Sequence, residues 1–160
     1  IQEGVDCVIR MGELNNSSLV ARPLGRFRWV TCASPDYLRE YGVPSSPEAL
    51  SQHRAVHYFS GQARRADEFR FVRHGETFSV PVSGNAAVNE TGLYIKMCLA
   101  GFGLAQLAEN IVADHLQEGR LVEVLTDWQP PPVPVTLLYP HQRFLSPAVR
   151  AFAEWMSEVV

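Results

Sequence analysis

Histidines are the residues of this sequence most able to hold a metal ion or transfer a proton. The two closest, His53 and His57, are four positions apart, a spacing that would place two zinc ligands on one face of a helix. The run that contains them has the character of a strand, and no carboxylate lies beside it. His74 in a predicted turn and His115 late on a predicted helix are explained by local structure. The pattern therefore predicts no metal site.

The cysteines are equally unsuited to chemistry. Cys7, Cys32 and Cys98 are widely spaced, form no C-x-x-C pair, and each lies within an apolar stretch. This favours buried thiols in a reducing compartment over a disulfide framework or a reactive thiolate. There is also no Gly-x-Ser-x-Gly elbow to present a nucleophile. We therefore expect a protein without enzymatic activity and without a cofactor.

The glycines at positions 101 and 103 resemble the start of a dinucleotide-binding fingerprint. The context differs, because these glycines follow a predicted helix and precede a predicted strand. Phosphate binding needs the opposite order, a strand followed by glycines and then a helix. The motif is therefore interpreted as a helix C-cap and a tight entry into a buried strand.

Two segments could bind an anion. Arg10 ends a predicted strand, and its guanidinium could hold both oxygens of a carboxylate. Residues 89–91 open a predicted helix, whose first N–H groups also suit an anion. The alternative is that Arg10 forms a surface ion pair and Asn89 merely caps the helix. The residues by themselves favour this second interpretation.

Composition limits the class of protein. The chain has 160 residues, 46% of them hydrophobic and 19% charged, with a formal net charge of -3. This size suits one domain or two small lobes, and the composition excludes intrinsic disorder. No apolar run approaches the roughly 18 residues of a membrane span, and no secretory signal is visible. A pI of about 5.9 argues against a large nucleic-acid-binding surface.

The elements that must position these residues alternate between strands and helices. Residues 5–11 read as a strand buried on both faces, as in a parallel sheet. Helices are predicted after Ser34 and Ser46, over 90–100 with Asn89 as the cap, over 109–117, and from Ser146 to the end. Residues 69–82 read as a hairpin turning at His74-Gly75. The pattern predicts an α/β fold with mixed sheets.

Taken together, several short segments resemble the effector-binding domain of LysR-type transcriptional regulators. No single segment is diagnostic, but their order along nearly the whole chain is specific. The segments are EGVDCVIRMG at 3–12, SLVARPLG at 18–25, CASPDYL at 32–38, LAGFGLA at 99–105, GRLV at 119–122, YP at 139–140 and LSPAVRAF at 145–152.

The resemblance implies a two-lobed, periplasmic-binding-protein type II-like α/β domain with a ligand cleft between the lobes. Residues 1–22 would be the end of lobe I, 23–129 lobe II, and 130–160 the return to lobe I. The family's winged helix-turn-helix and the early part of lobe I are missing from this chain. The resemblance therefore implies an N-terminally truncated regulatory domain.

The resemblance also implies which residues carry the function. The ligand-binding residues would be Arg10 and Met11 on lobe I and Val88, Asn89, Glu90 and Thr91 on lobe II. Leu93 and Met97 would lie at a dimer interface, with core packing as the alternative. The implied partners are a small-molecule effector such as a carboxylate, promoter DNA contacted only through the missing domain, a second or further copies in a homodimer or homotetramer, and RNA polymerase.

We therefore expect the effector-sensing domain of a bacterial, cytoplasmic transcription factor that makes no membrane contact. A solute-binding protein of a transport system would share the architecture, but it should carry an export signal and would tolerate three free thiols poorly. A small hydrolase is the other alternative, and it would need a nucleophile and base that this sequence does not offer.

Overall fold

The computed structural model describes residues 6–12, 19–59, 68–140 and 146–159. The chain forms two compact units. Unit 1 consists of Ile1–Phe27 with Pro132–Val160, and unit 2 consists of Arg28–Pro131. The lobe boundaries implied by the resemblance, after residues 22 and 129, stay predictions.

The described residues of unit 1 form a three-stranded antiparallel sheet and one helix. Its strands are β1 (Val8–Met11), β2 (Val20–Phe27) and β10 (Val133–Tyr139), in the order β1-β10-β2. The helix α4 (Pro147–Val159) packs against β2. Leu24, Val135, Leu137 and Ala153 form the buried centre of this unit. Burying these side chains from both the sheet and the helix is what stabilises the unit.

The first strand differs from the sequence-based expectation. β1 pairs antiparallel with β10 alone, so it lies at an edge, and all four of its residues are exposed. An apolar run predicts burial on both faces only when neighbouring strands and helices supply the cover. The described residues of unit 1 place a single strand beside β1, and its apolar side chains remain accessible.

Pro23 lies inside β2, and the strand continues through it to Phe27. Pro23 is opposite Thr136 and Gly25 is opposite Val135, so Leu24 is the extra residue of a β-bulge. A bulge accommodates proline because it relaxes the need for a ladder N–H at that point.

Unit 2 contains three small sheets. Its elements are β3 (Trp29–Ala33), α1 (Pro35–Tyr41), a short 3₁₀ helix (Pro47–Gln52), β4 (Arg54–Tyr58), β5 (Glu68–Arg73), β6 (Glu76–Pro81), β7 (Ser83–Val88), α2 (Thr91–Leu99), β8 (Ala105–Ala108), α3 (Glu109–Gln117) and β9 (Val122–Val124). β3 lies between β8 and β9 in an antiparallel sheet, β4 pairs with β7 in parallel, and β5 and β6 form a hairpin.

Several local predictions are confirmed. Ser34 caps α1, and its hydroxyl oxygen accepts a hydrogen bond of 3.3 Å from the Tyr37 N–H. The hairpin turns at His74 and Gly75, which have φ values of 52° and 83°. Positive φ at both central residues is what a type I′ turn requires. These features are local in sequence, so the pattern of residue types is enough to predict them.

β4 links the sheets of unit 2 through its backbone. One edge pairs with β7, and the other bonds to the residue that precedes β8. Leu104 donates its N–H to the Arg54 carbonyl at 2.8 Å and accepts from the Val56 N–H at 2.9 Å. Because this strand is bonded on both edges, it holds β7 and the start of β8 in place relative to each other.

The hairpin is joined to the β3 sheet by the side chain of Gln106. Its amide oxygen accepts from the Arg70 N–H at 3.1 Å, and its amide nitrogen donates to the Arg70 carbonyl at 3.0 Å. The same nitrogen lies 3.3 Å from the Thr31 hydroxyl. The side chain therefore substitutes for a strand at this edge of β5.

Arg28, the first residue of unit 2, is anchored by two carboxylates. Its guanidinium lies 2.6 Å from Glu109 Oε1 and 2.6 Å from Glu123 Oε1. Its carbonyl also accepts the Glu109 N–H at 2.9 Å. The residue at which the chain enters unit 2 is thus held to both α3 and β9.

The helices are short. The longest of them, α4, has 13 residues. Among the described residues, no helix combines the length and apolar character needed to cross a bilayer.

Substitution of Gly84 tests how closely the β7 backbone approaches that of β4. A Cβ at this position would collide with the Ala55 carbonyl oxygen and would lie 2.7 Å from His57 Nε2. We expect Gly84→Ala to lower the free energy of unfolding by about 1–3 kcal/mol, because the backbone must shift to admit the methyl group. Urea titration followed by circular dichroism measures this. Ser83→Ala, at an exposed neighbouring position, should leave the free energy of unfolding nearly unchanged. Equal stability of the two variants would show that the methyl group at position 84 meets no close contact.

Candidate functional site

The candidate site in unit 2 lies where two parallel strands end together. Tyr58, the last residue of β4, is opposite Val88, the last residue of β7. The Phe59 N–H continues the pairing by donating to the Val88 carbonyl at 2.9 Å. The chain then passes through Asn89 and Glu90 into α2. The carboxyl end of parallel strands is where α/β proteins commonly bind small molecules.

Glu90, not Asn89, caps α2, so the predicted cap was wrong by one residue. Glu90 Oε1 accepts from the Gly92 N–H at 2.7 Å, and Oε2 accepts from the Leu93 N–H at 2.6 Å. These bonds, that from Gly92 first, lower the pKa of the Glu90 carboxyl from its ordinary value of 4.5. Two of the N–H groups expected to face a ligand's carboxylate are therefore occupied by the protein's own carboxylate.

The neighbouring residues differ in their exposure. Val88 is only 6% exposed and belongs to a hydrophobic core cluster of unit 2. Asn89 and Thr91 are exposed. The Tyr58 hydroxyl donates to the Asn89 carbonyl at 3.3 Å, and its ring lies 5.5 Å from that of Tyr94. The loop before α2 is therefore anchored by the buried Val88 side chain and by the hydrogen bond from the Tyr58 hydroxyl.

The other predicted segment lies in unit 1. Arg10 and Met11 are exposed on β1, opposite Thr136 and Val135 of β10. The described residues of the chain supply no ion pair to the Arg10 guanidinium, so the alternative of a surface ion pair gains no support from them. The ligand-binding roles of Arg10, Met11 and residues 88–91 stay predictions.

Cys32, Cys98 and His53 are buried in unit 2, whereas Cys7 lies in unit 1 and His74 is exposed. Cys32 and Cys98 are fully buried, and the Cys98 thiol lies 3.6 Å from the Cys32 carbonyl oxygen. A hydrogen bond with Cys98 and burial raise the pKa of the Cys32 thiol, which makes it a poor nucleophile at neutral pH. His53 is buried with Nδ1 3.1 Å from the Tyr37 hydroxyl oxygen, and burial lowers its pKa. Among the described residues, no three His, Cys, Asp or Glu side chains are grouped as a metal site would require.

The motif at residues 101–103 is the predicted helix C-cap. The Phe102 N–H donates to the Met97 carbonyl and the Gly101 N–H to the Cys98 carbonyl, both at 3.1 Å. Gly101 has a φ of 80°. This pair of bonds around a left-handed glycine is a Schellman motif. It ends α2 and turns the chain directly into Leu104 and β8.

One feature of unit 2 has no counterpart in the sequence-based expectations. It is a cavity of about 300 Å³, whose lining residues are Tyr41, Arg54, Ala86, Ala100, Gly101 and Phe102. These residues come from α1, β4, β7 and the turn after α2. Because they are scattered over more than sixty positions of the chain, no local spacing could have predicted them as a group.

The fold defines the class of protein. The structure is similar to that of the LysR-type transcriptional regulator CrgA from Neisseria meningitidis, with a TM-score of 0.80 and 26% sequence identity over 97% of this chain and 52% of that one. The architecture is the α/β, two-lobed, periplasmic-binding-protein-like fold of LysR regulatory domains, as predicted.

Sequence comparison then identifies the family. Residues 1–160 match the LysR substrate binding domain. The chain is 36% identical over its whole length to the HTH-type transcriptional regulator YhjC of Escherichia coli, of which it covers 54%. It is also 36% identical over 159 residues to an HTH-type transcriptional repressor of Pseudomonas aeruginosa, of which it covers 50%. The chain belongs to the LysR substrate-binding domain family, and it spans about half the length of these curated relatives. It corresponds to their effector-sensing part.

The capping role of Glu90 predicts a pH-dependent stability difference. We expect Glu90→Gln to melt at a lower temperature than the wild type at pH 7, because a neutral amide is the weaker acceptor at a helix N-terminus. The pKa of folded Glu90 is depressed, so its contribution is present above pH 4.5 and is lost as the pH falls through the depressed pKa. Thermal unfolding between pH 7 and pH 3 should therefore show the two melting curves converging.

Glu40→Gln is the matched control, since it removes an exposed carboxylate from α1. It should leave the melting temperature at pH 7 nearly unchanged. A Glu90→Gln protein as stable as the wild type at pH 7 would show that the cap contributes nothing.

Proposed function

We propose that the protein to which this chain belongs is a bacterial, cytoplasmic LysR-type transcription factor. The chain binds a small metabolite, and the bound state alters transcription through a DNA-binding domain that lies outside residues 1–160. The observation that carries this proposal is the match to the LysR substrate binding domain over the full chain. The relatives described above are transcriptional regulators, which favours this function over solute transport or hydrolysis.

We propose that Arg10 and Met11 in unit 1, and residues 88–91 in unit 2, are ligand-binding residues. A ligand that binds one conformation of the regulator more tightly than another shifts the population toward that conformation. The difference in affinity sets the size of this coupling. Arg10, exposed and without an ion pair among the described residues, supports a ligand with a negative charge.

The cap formed by Glu90 refines the chemistry of this proposed ligand. Since Glu90 accepts the N–H groups of Gly92 and Leu93, a second carboxylate at the start of α2 would meet a negative charge. Arg10 therefore suits an anionic group better than the start of α2 does. A group bound near Asn89 and Thr91 is neutral and forms hydrogen bonds, since both side chains can donate and accept.

A further part of the proposal concerns assembly. α2 is apolar on most of its circumference, which is typical of a helix covered on more than one side. Met97 packs partly against the core, whereas Leu93 is 47% exposed. We propose that this outer face of α2 contacts a second copy in a homodimer or homotetramer. RNA polymerase and promoter DNA are proposed partners of the complete regulator.

Arg10→Ala tests the ligand site. A panel of small carboxylates is first screened by thermal shift, and the compound with the largest effect is titrated by calorimetry. We expect Arg10→Ala to weaken its binding at least about tenfold, because a charged hydrogen-bond partner is lost. The melting temperature without ligand should be nearly unchanged, since the side chain is exposed. Arg26→Ala, on β2 of the same sheet, is the control and should bind the compound like the wild type. Equal binding by the wild type and Arg10→Ala would show that Arg10 is not a ligand-binding residue.

Leu93→Glu tests the proposed interface. Because Leu93 is exposed, a charge there should leave the fold intact but oppose burial against a second copy. We expect light scattering after size exclusion to show a lower mass for this variant than for the wild type. Val43→Glu, which changes a 65% exposed residue outside α2, should behave like the wild type. A wild-type chain that is monomeric at every concentration contradicts the proposal.

A further inference from the structure

The cavity of about 300 Å³ in unit 2 lies at the opposite end of α2 from Glu90. α2 has nine residues, so its two ends are about 14 Å apart. The cavity therefore shares no residue with the segment at 88–91, and none with Arg10 or Met11. Its volume is at the lower limit for small-molecule sites, which suits a ligand with a single ring.

Two walls of the cavity are held in place by one buried side chain, Tyr37. Its hydroxyl oxygen accepts from the Arg54 N–H at 2.9 Å, and its O–H donates to the Arg54 carbonyl at 3.2 Å. Its ring stacks on that of Tyr41, with the centroids 4.8 Å apart. Tyr37 is only 2% exposed, so the Arg54 backbone and the Tyr41 ring are positioned before any ligand arrives.

The third wall is equally fixed. Phe102 belongs to the Schellman motif that ends α2, and Leu104, two residues later, is bonded to the Arg54 carbonyl at 2.8 Å. The Phe102 side chain is nevertheless 57% exposed. A rigid turn thus presents a large apolar ring to solvent beside the cavity.

The chemistry of the walls indicates the kind of ligand. The Arg54 guanidinium lies 5.5 Å from the centre of the Tyr41 ring, and the described residues provide it with no carboxylate. An arginine held in this way can bind both oxygens of a carboxylate. The exposed Phe102 ring favours contact with a flat apolar group, whereas the Tyr41 ring already stacks on Tyr37 and lies under the Arg54 guanidinium. The small residues Ala86, Ala100 and Gly101 leave room for that group.

The end of α2 restricts the charge of the ligand. Ala100 follows the last residue of the helix, where the helix dipole contributes a partial negative charge. Of the lining residues that the structure describes, Arg54 is the one cation. The positive charge of Arg54 can neutralise one negative charge on the ligand, whereas the partial negative charge at the end of α2 disfavours a second. A dianion such as phosphate is therefore disfavoured.

We propose that this cavity is a second ligand site, which binds a small aromatic monocarboxylate with its ring against Phe102 and its carboxylate on Arg54.

Calorimetric titration of the 160-residue chain with benzoate tests the proposal. We expect Arg54→Gln to weaken benzoate binding at least about tenfold and Phe102→Ala to weaken it several-fold. The Arg73→Gln variant is the matched control, because Arg73 also lies over a ring, that of Trp128 at 5.2 Å, but does not line the cavity. Benzamide and inorganic phosphate, which lack the charge or the ring, should bind more weakly than benzoate.

The outcomes separate this site from the one proposed above. Loss of benzoate binding in Arg54→Gln with retention in Arg10→Ala supports the cavity. Equal binding by wild type and Arg54→Gln, loss only in Arg10→Ala, or no binding of benzoate at millimolar concentration overturns it. Circular dichroism checks that each variant is folded. If the Arg54→Gln variant is not folded, benzoate binding by the Phe102→Ala variant decides the question. The Phe102 ring lies outside the hydrophobic clusters, so its loss should leave the fold intact.

Discussion

The backbone of β4 is the constraint on which unit 2 depends. A strand buried in the middle of a unit must satisfy its N–H and C=O groups on both edges, because water cannot reach them. β4 does so with β7 on one side and with Leu104 on the other, and the Tyr37 hydroxyl supplies further bonds at its first residue. The close approach of Gly84 to Ala55 is a consequence of that arrangement.

Both candidate ligand sites of unit 2 follow from this strand. At its carboxyl end, Tyr58 and Val88 position the loop that enters α2. At its amino end, Arg54 forms one wall of the cavity. α2 runs between the two ends, with Glu90 at its start and the Schellman motif at its finish. The two places differ in chemistry because the Glu90 carboxylate occupies the N–H groups at the start of α2, whereas the Arg54 cation lines the cavity at the other end.

Unit 1 leaves apolar side chains exposed on both its sheet and its helix. β1 is an exposed edge with apolar side chains, and Trp155 on α4 is also exposed. The chain spans about half the length of the curated relatives it matches. Unit 2, by contrast, contains two hydrophobic clusters of its own, and its entry point is fixed by the ion pairs of Arg28.

The sequence by itself determined the family, the α/β class and the local features. The cap at Ser34, the hairpin turn at His74 and the helix end at Gly101 depend on residues a few positions apart, so residue types suffice to predict them. Only the tertiary structure decided that β1 lies at an edge, that Glu90 occupies the N–H groups of α2, and that Arg54 joins Tyr41 and Phe102 around a cavity. The reason is physical. Burial, strand neighbours and concave surfaces arise from contacts between segments far apart in the chain, and a one-dimensional pattern carries no information on which distant segment supplies the partner.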